Sequence, residues 1–306
     1  MKQEYQKTLE LRAFKLHWRE FSERTKSLQP SIEQQRADFD AEHGSIPIDN
    51  DCVVEHVEVG NARGERIVPK GANSQKALLY HHGGGYVFGS ALSHRHLVAR
   101  LAKSAGAVAY NMNYRLAPEH PFPGALEDAL ESWRFVLTEG FTPSNIVIGG
   151  DSAGGNLTAA LLLKIRELDL DLPAGAYLLS PWLDLNQVGE SYNLKSAIDP
   201  MVSRDVLQSM ADMYRAMRDA QEEMISPVKA DLSGLPPLLI QVGADEVLLS
   251  DSLRFTTGAA LAGVDVQLHV YRNAVHAWPL FHHLLPTVGR EAILEAGQWI
   301  ARTLDI

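Results

Sequence analysis

Gly149-Gly150-Asp151-Ser152-Ala153-Gly154-Gly155-Asn156 follows the β-branched apolar run Ile146-Val147-Ile148 and precedes a helix-favouring run over 157–163. A serine flanked by small residues between a buried strand and a helix can occupy a very tight turn. That turn lifts the hydroxyl clear of the backbone and sets it at a helix N-terminus, where partial positive charge favours a developing anion. Gly150 and Gly154 supply the G-x-S-x-G spacing, at places where larger side chains would meet the neighbouring strand and helix. The stretch reads as a nucleophile elbow centred on Ser152. A phosphate-binding loop is the competing reading, because Gly150 and Gly155 stand at G-x-x-x-x-G spacing. The lysine that should follow is replaced by Asn156 and Leu157, so no side chain would reach a phosphate.

Outward from this turn, strand-like and helix-like runs alternate. Strands are expected at 53–59, 77–80, 107–110, 146–148, 175–179, 238–242 and 266–271. Helices are expected at 96–104, 124–138, 153–168, 251–262 and 288–304. Such alternation implies an α/β fold: a mostly parallel, doubly wound sheet flanked by helices. Residues 1–40 read as helical, with Leu11, Phe14, Trp18 and Phe21 forming one apolar stripe. The stripe suits a terminal helix docked on the body or a lid over an apolar pocket. Residues 184–226 break the rhythm: they lack an evident core strand but carry a methionine-rich amphipathic run at 206–217. This insertion is expected to pack with the N-terminal helices.

A serine hydroxyl is a poor nucleophile until a neighbouring base takes its proton. Histidine oriented by a carboxylate is the usual solution, and strand–turn–helix serines place their partners in the order Ser, Asp/Glu, His. Four histidines lie beyond residue 246. His269 falls inside a strand pattern; His282 and His283 fall in a helix-like run expected to face solvent; His276 lies in the loop after the last strand and is the candidate base. The strand at 238–242 runs into Asp245-Glu246. Either carboxylate can serve, with the other expected to face solvent or to cap the helix that follows. After the strand at 77–80 comes His82-Gly83-Gly84-Gly85, whose backbone N–H groups can approach a substrate oxygen. Gly83 and Gly84, with the N–H of Ala153, are the candidate oxyanion donors.

Composition narrows the partners. The chain has 306 residues, 45% hydrophobic and 22% charged, with a formal charge of −10. That excess of acid argues against nucleic acid as a partner. The single cysteine, Cys52, permits no intrachain disulfide, and its apolar neighbours suggest an inert thiol in a reducing compartment. No signal peptide or transmembrane span is visible, so a cytoplasmic location is expected. No metal and no cofactor is expected: His94 and His96 are two apart on a helix, and His81-His82 and His282-His283 lack a third ligand at usable spacing.

Three motifs, His82-Gly83-Gly84-Gly85, Tyr114-Arg115-Leu116-Ala117-Pro118-Glu119-His120-Pro121-Phe122-Pro123 and Gly150-Asp151-Ser152-Ala153-Gly154-Gly155, occur in one order over one chain. From about residue 75 onward the sequence resembles the hormone-sensitive-lipase-like family of α/β-hydrolases, the bacterial family IV esterases. The resemblance implies an α/β-hydrolase domain over 46–306, with a helical cap made by residues 1–45 and an insertion at about 184–226. It implies Ser152 as nucleophile, His276 as general base and then acid, and Gly83, Gly84 and Ala153 as oxyanion donors. The family's acid motif, aligned without gaps, sets its first Asp on Glu246, its Leu on Leu248 and its final Glu on Asp251. Glu246 is therefore the implied triad acid, a departure from the usual Asp, with Asp245 in reserve. Hydrolysis of a small-molecule ester with a short, fairly apolar acyl group is the implied activity; lactone hydrolysis or deacetylation would use the same groups. A ligand-binding branch of the fold, that of the gibberellin receptors, loses the catalytic histidine, which is present here as His276. A homodimer is the assembly the resemblance offers, and the sequence leaves it open.

Overall fold

The structure, a computed structural model, describes residues 2–25, 30–60 and 62–305. Two helices lead the chain, α1 (Lys2–Thr25) and α2 (Ile32–Gly44). Strands β1 (Cys52–Val59), β2 (Ala62–Pro69) and β3 (Asn73–His81) follow, then α3 (Ala91–Ala105), β4 (Ala107–Met112) and α4 (Gly124–Thr138). The central unit is β5 (Ile146–Asp151), α5 (Ala153–Glu167) and β6 (Gly175–Leu179). Two helices, α6 (Ser191–Leu194) and α7 (Arg204–Arg215), occupy the insertion. The chain closes with β7 (Leu238–Gly243), α8 (Leu249–Leu261), β8 (Val266–Tyr271) and α9 (Val288–Thr303).

The eight strands form one sheet in the order β1-β2-β4-β3-β5-β6-β7-β8. The pairs β1–β2 and β2–β4 are antiparallel, and every later pair is parallel. Parallel strands covered on both faces read as near-continuous apolar runs, and β4, β5, β6 and β7 are buried along their whole length. Alternate side chains feed two cores. Ala77 and Leu79 of β3 join α4, α5 and α8 on one face, while Leu78 and Tyr80 join α3 and α9 on the other. Each fully buried Leu, Val or Ile contributes about 1.5–3 kcal/mol.

Strand β2 is not expected from the sequence. Its Arg63-Gly64-Glu65-Arg66 segment looks like loop, but the charges are paired: buried Glu65 takes Arg95 of α3 in a bidentate contact, and Arg66 reaches Glu55 at 2.7 Å. Pairing removes the cost that keeps charges out of a sheet.

Helix α1 buries Leu11 and Phe14, and Phe14 and Trp18 pack their rings on Phe281; the Phe21 side chain lies outside the described residues. Helix α7 buries Leu207, Ala211 and Tyr214 in the opposite core. Among the described residues the N-terminal helices meet the insertion where the Arg19 guanidinium donates to the Ile198 carbonyl at 3.4 Å, and both reach the loop after β7, where Asp245 faces Lys15 and Lys195. Among the described residues no helix is long and apolar enough to cross a membrane.

Candidate active site

Three strand ends converge at the carboxyl edge of the sheet, where doubly wound folds place their ligands. Strand β5 delivers Ser152, β7 delivers Asp245 and Glu246, and β8 delivers His276. Ser152 has φ 54° and ψ −119°, a backbone state that costs a non-glycine residue about 1–3 kcal/mol and persists only when its surroundings enforce it. The enforcement is visible. The Ser152 N–H donates to the Leu179 carbonyl at 2.9 Å, and its carbonyl accepts from Asn156 and Trp182 at 3.1 and 3.0 Å. A Cβ on Gly150 would strike the Gly154 backbone, and one on Gly154 would strike the His81 carbonyl. Ser152 immediately precedes α5, whose first N–H groups lack intrahelical acceptors.

His276 is buried and its Nδ1 lies 2.9 Å from Glu246 Oε2. A carboxylate only accepts, so Nδ1 carries the proton and Nε2 is the basic nitrogen. Glu246 is fully buried, and its second oxygen is satisfied: Oε1 accepts from the Ser180 hydroxyl at 2.8 Å and from the Gly243 N–H at 2.5 Å. Ser180 accepts in turn from the Ala277 N–H at 3.1 Å, so one hydroxyl ties Glu246 to the residue after His276. Burial alone would lower the His276 pKa. The hydrogen bond and charge of Glu246, with the charges of Asp199 and Asp151, outweigh burial and hold it above the ordinary 6.5. The Ser152 hydroxyl makes no hydrogen bond to His276 or to any other described residue. Catalytic hydrogen bonds of this kind are often long without substrate and tighten when it binds.

Asp245 points elsewhere. It neither faces solvent nor caps α8; its Oδ2 pairs with Lys15 of α1 at 2.5 Å and its Oδ1 faces Lys195 of the insertion at 3.7 Å. The Val247 N–H is met instead by Asp199, at 3.0 Å.

At Gly83 the structure departs from the expected set of donors. The Gly83 N–H turns inward and donates to Asp151 Oδ1 at 3.2 Å, with His94 Nε2 at 3.3 Å. Asp151 is buried, which would raise its pKa, but His94, the Tyr80 hydroxyl and His276 together hold it below the ordinary carboxylate value. Gly83 is thus committed to a buried charge and is not free to serve an oxyanion. Gly84 and Gly85 follow at φ 114° and 62°, and among the described residues their N–H groups donate to nothing. The Met210 side chain of α7 packs directly over Gly85. Tyr86 stacks on Tyr214 at 3.6 Å and donates to Asn156 at 2.7 Å, joining the glycine loop, α5 and α7.

His282, expected at the surface, is buried against His96 at 3.0 Å. The turn Trp278–Phe281 rolls it inward onto α3, while His283 stays exposed. His43, His96 and His282 are each pushed down, to about 3, 2 and 3, with burial as the main cause. Cys52 is half-buried, and burial with nearby Asp51 and Asp49 raises its thiol pKa. Among the described residues no three His, Cys, Asp or Glu side chains are grouped to hold a metal.

Asp199 carries no signature in the sequence alone; for Ser180 the hint is its place directly after a buried strand, Leu178-Leu179-Ser180-Pro181.

Residues 78–280 match the family described as an alpha/beta hydrolase fold. The chain is 40% identical over 244 residues to an acetyl-hydrolase of Streptomyces hygroscopicus, covering 80% of this chain and 81% of that one. It is 34% identical over 253 residues to an esterase of Acinetobacter venetianus, covering 82% of each. Among solved structures, an esterase from the bacterial hormone-sensitive lipase family superposes with a TM-score of 0.91 at 39% identity, over 96% of this chain and 98% of that one. The esterase EstE5, soaked with p-nitrophenyl butyrate, superposes with a TM-score of 0.90 at 37% identity, over 97% and 99%.

Proposed function

The chain belongs to the α/β-hydrolase family, and from that premise we propose that it is a serine carboxylesterase acting on short, fairly apolar acyl esters through a covalent acyl-serine. The observation that carries this reading is the buried Glu246–His276 pair, 2.9 Å apart, on loops adjoining a serine held in a strained elbow. In the proposed cycle Ser152 Oγ attacks the ester carbonyl while His276 Nε2 takes its proton. Glu246 keeps the ring in the tautomer that leaves Nε2 basic and stabilises the imidazolium once formed. The N–H groups of Gly84, Gly85 and Ala153 receive the oxyanion; each such donor is typically worth about 10²–10³ in rate. His276 then returns the proton to the leaving alcohol, and water repeats the sequence to release the acid.

A short acyl group is supported by the similarity to an acetyl-hydrolase and by Met210, which closes the space over Gly85. Residues 1–45 and 184–226 form the proposed cap. A series of p-nitrophenyl esters graded by acyl length, assayed beside simple lactones, tests the substrate class. Highest kcat/KM on the acetyl and butyryl esters supports it; a maximum on long acyl chains or on lactones overturns it.

A further inference from the structure

Between the two segments of the proposed cap and the acid loop lies a buried carboxylate that the hydrolytic cycle does not use. Asp199 leaves α6 through the turn Lys195–Asp199, where its N–H donates to the Lys195 carbonyl at 2.8 Å. Its Oδ1 accepts from the N–H groups of Met201 and Val202 at 2.9 and 3.1 Å, closing its own turn. Its Oδ2 faces the other way and accepts from the Val247 N–H at 3.0 Å, forty-eight residues downstream and next to Glu246. Three N–H donors divided over two oxygens favour the ionised form, while burial opposes it and raises the pKa.

We propose that Asp199 is a positioning residue of the hydrolytic site, anchoring the loop that carries Glu246 and placing a second negative charge within reach of His276. This rests on the reading of Ser152, His276 and Glu246 as the catalytic set. The geometry gives the residue two effects. Through Val247 it fixes the backbone on which Glu246 turns inward and Asp245 turns outward to Lys15 and Lys195. Through space it favours the imidazolium that forms when Ser152 attacks. The charges facing His276 are those of Glu246, Asp199 and Asp151, and those facing Asp199 are His276 and Glu246. Because Asp199 sits in the insertion, movement of that segment reaches the catalytic pair through one hydrogen bond and one charge.

The test is Asp199→Asn in the full chain, assayed on p-nitrophenyl acetate from pH 5 to 9 beside wild type and Ser152→Ala, with thermal melting as the folding check. Small misplacements of a catalytic group cost on the order of 10²-fold in rate, so the expected loss in kcat is about tenfold or more, with KM changed much less. The acidic limb of kcat/KM moves to lower pH, because His276 loses a charge that favours its protonation. A variant that melts below the assay temperature is replaced by Asp199→Ser, whose hydroxyl can still close the local turn but carries no charge; the same two shifts are expected. An unmoved acidic limb, with or without a fall in kcat, overturns the inference. Turnover retained by Ser152→Ala overturns instead the hydrolytic reading beneath it.

Discussion

Asp245 and Glu246 are consecutive, yet their carboxylates serve opposite sides of one loop: Glu246 lies 2.9 Å from His276 Nδ1 and Asp245 lies 2.5 Å from Lys15 Nζ. The inward residue is sealed from water and fully hydrogen-bonded; the outward one ties the first helix to the same loop. Glu246→Gln is therefore expected to lower kcat by about 10²–10⁴-fold, the usual scale when a histidine base loses the carboxylate that fixes its tautomer. Asp245→Asn should leave kcat within a few-fold and reduce stability by about 1 kcal/mol, as expected for losing the partly exposed ion pairs to Lys15 and Lys195. Steady-state kinetics with denaturant unfolding of both variants checks the division of labour. Reversal of the two effects would make Asp245 the triad acid.

The pH profile follows from His276. A general base must be neutral to accept a proton, and the Glu246, Asp199 and Asp151 charges hold its pKa above 6.5 despite burial. The acidic limb of kcat/KM is expected above pH 6.5, and Glu246→Gln should move it downward. In stability the sign is opposite: a raised folded-state pKa contributes below the unfolded value and is lost as pH rises through the folded one. A rate–pH profile on p-nitrophenyl acetate measures the limb directly.

The other buried histidines act in reverse. His43 and His96 stand face to face with ring centroids 6.1 Å apart, and their folded pKa values are pushed down to about 3 and 2. The unfolded chain then binds more protons below pH 6.5, so stability falls as pH drops below that value. Each such group costs up to about 1.4 kcal/mol per pH unit. The melting temperature should decline steadily from pH 6.5 toward 4. His43→Phe, which keeps a ring beside Phe39 and Phe281, should flatten the decline. An equal slope in the variant would remove His43 from the account.

Met210 covers Gly85, one of the proposed oxyanion donors. Met210→Ala opens that space and should raise kcat/KM on a hexanoyl ester relative to an acetyl ester by on the order of tenfold, the scale of a few methylenes in an apolar pocket. An unchanged ratio would place the acyl chain elsewhere.

Much of this was legible in the chain because strand ends and their loops are written locally. The elbow at Ser152, the seven strands with apolar runs and the loop position of His276 needed only neighbouring residues. Strand β2 was hidden because Glu65 and Arg66 look solvated until Arg95 and Glu55 arrive from other elements. Which of three identical glycines gives its N–H to the Asp151 carboxylate carries no local sign, and in the structure it is Gly83. His282 went inward because α3 offered a histidine-lined surface that no helix pattern announces. Ser180 and Asp199 act on Glu246 and its loop from 66 and 47 positions away, and only folding brings them there.

The proposed cycle stands on Ser152 as nucleophile and His276 as its base. Intact-mass and peptide mass spectrometry after treatment with diethyl p-nitrophenyl phosphate tests it most directly. One diethylphosphoryl adduct is expected on Ser152, absent from Ser152→Ala and formed far more slowly in His276→Ala. Stoichiometric labelling at another residue, or labelling of Ser152 at the same rate without His276, would contradict it.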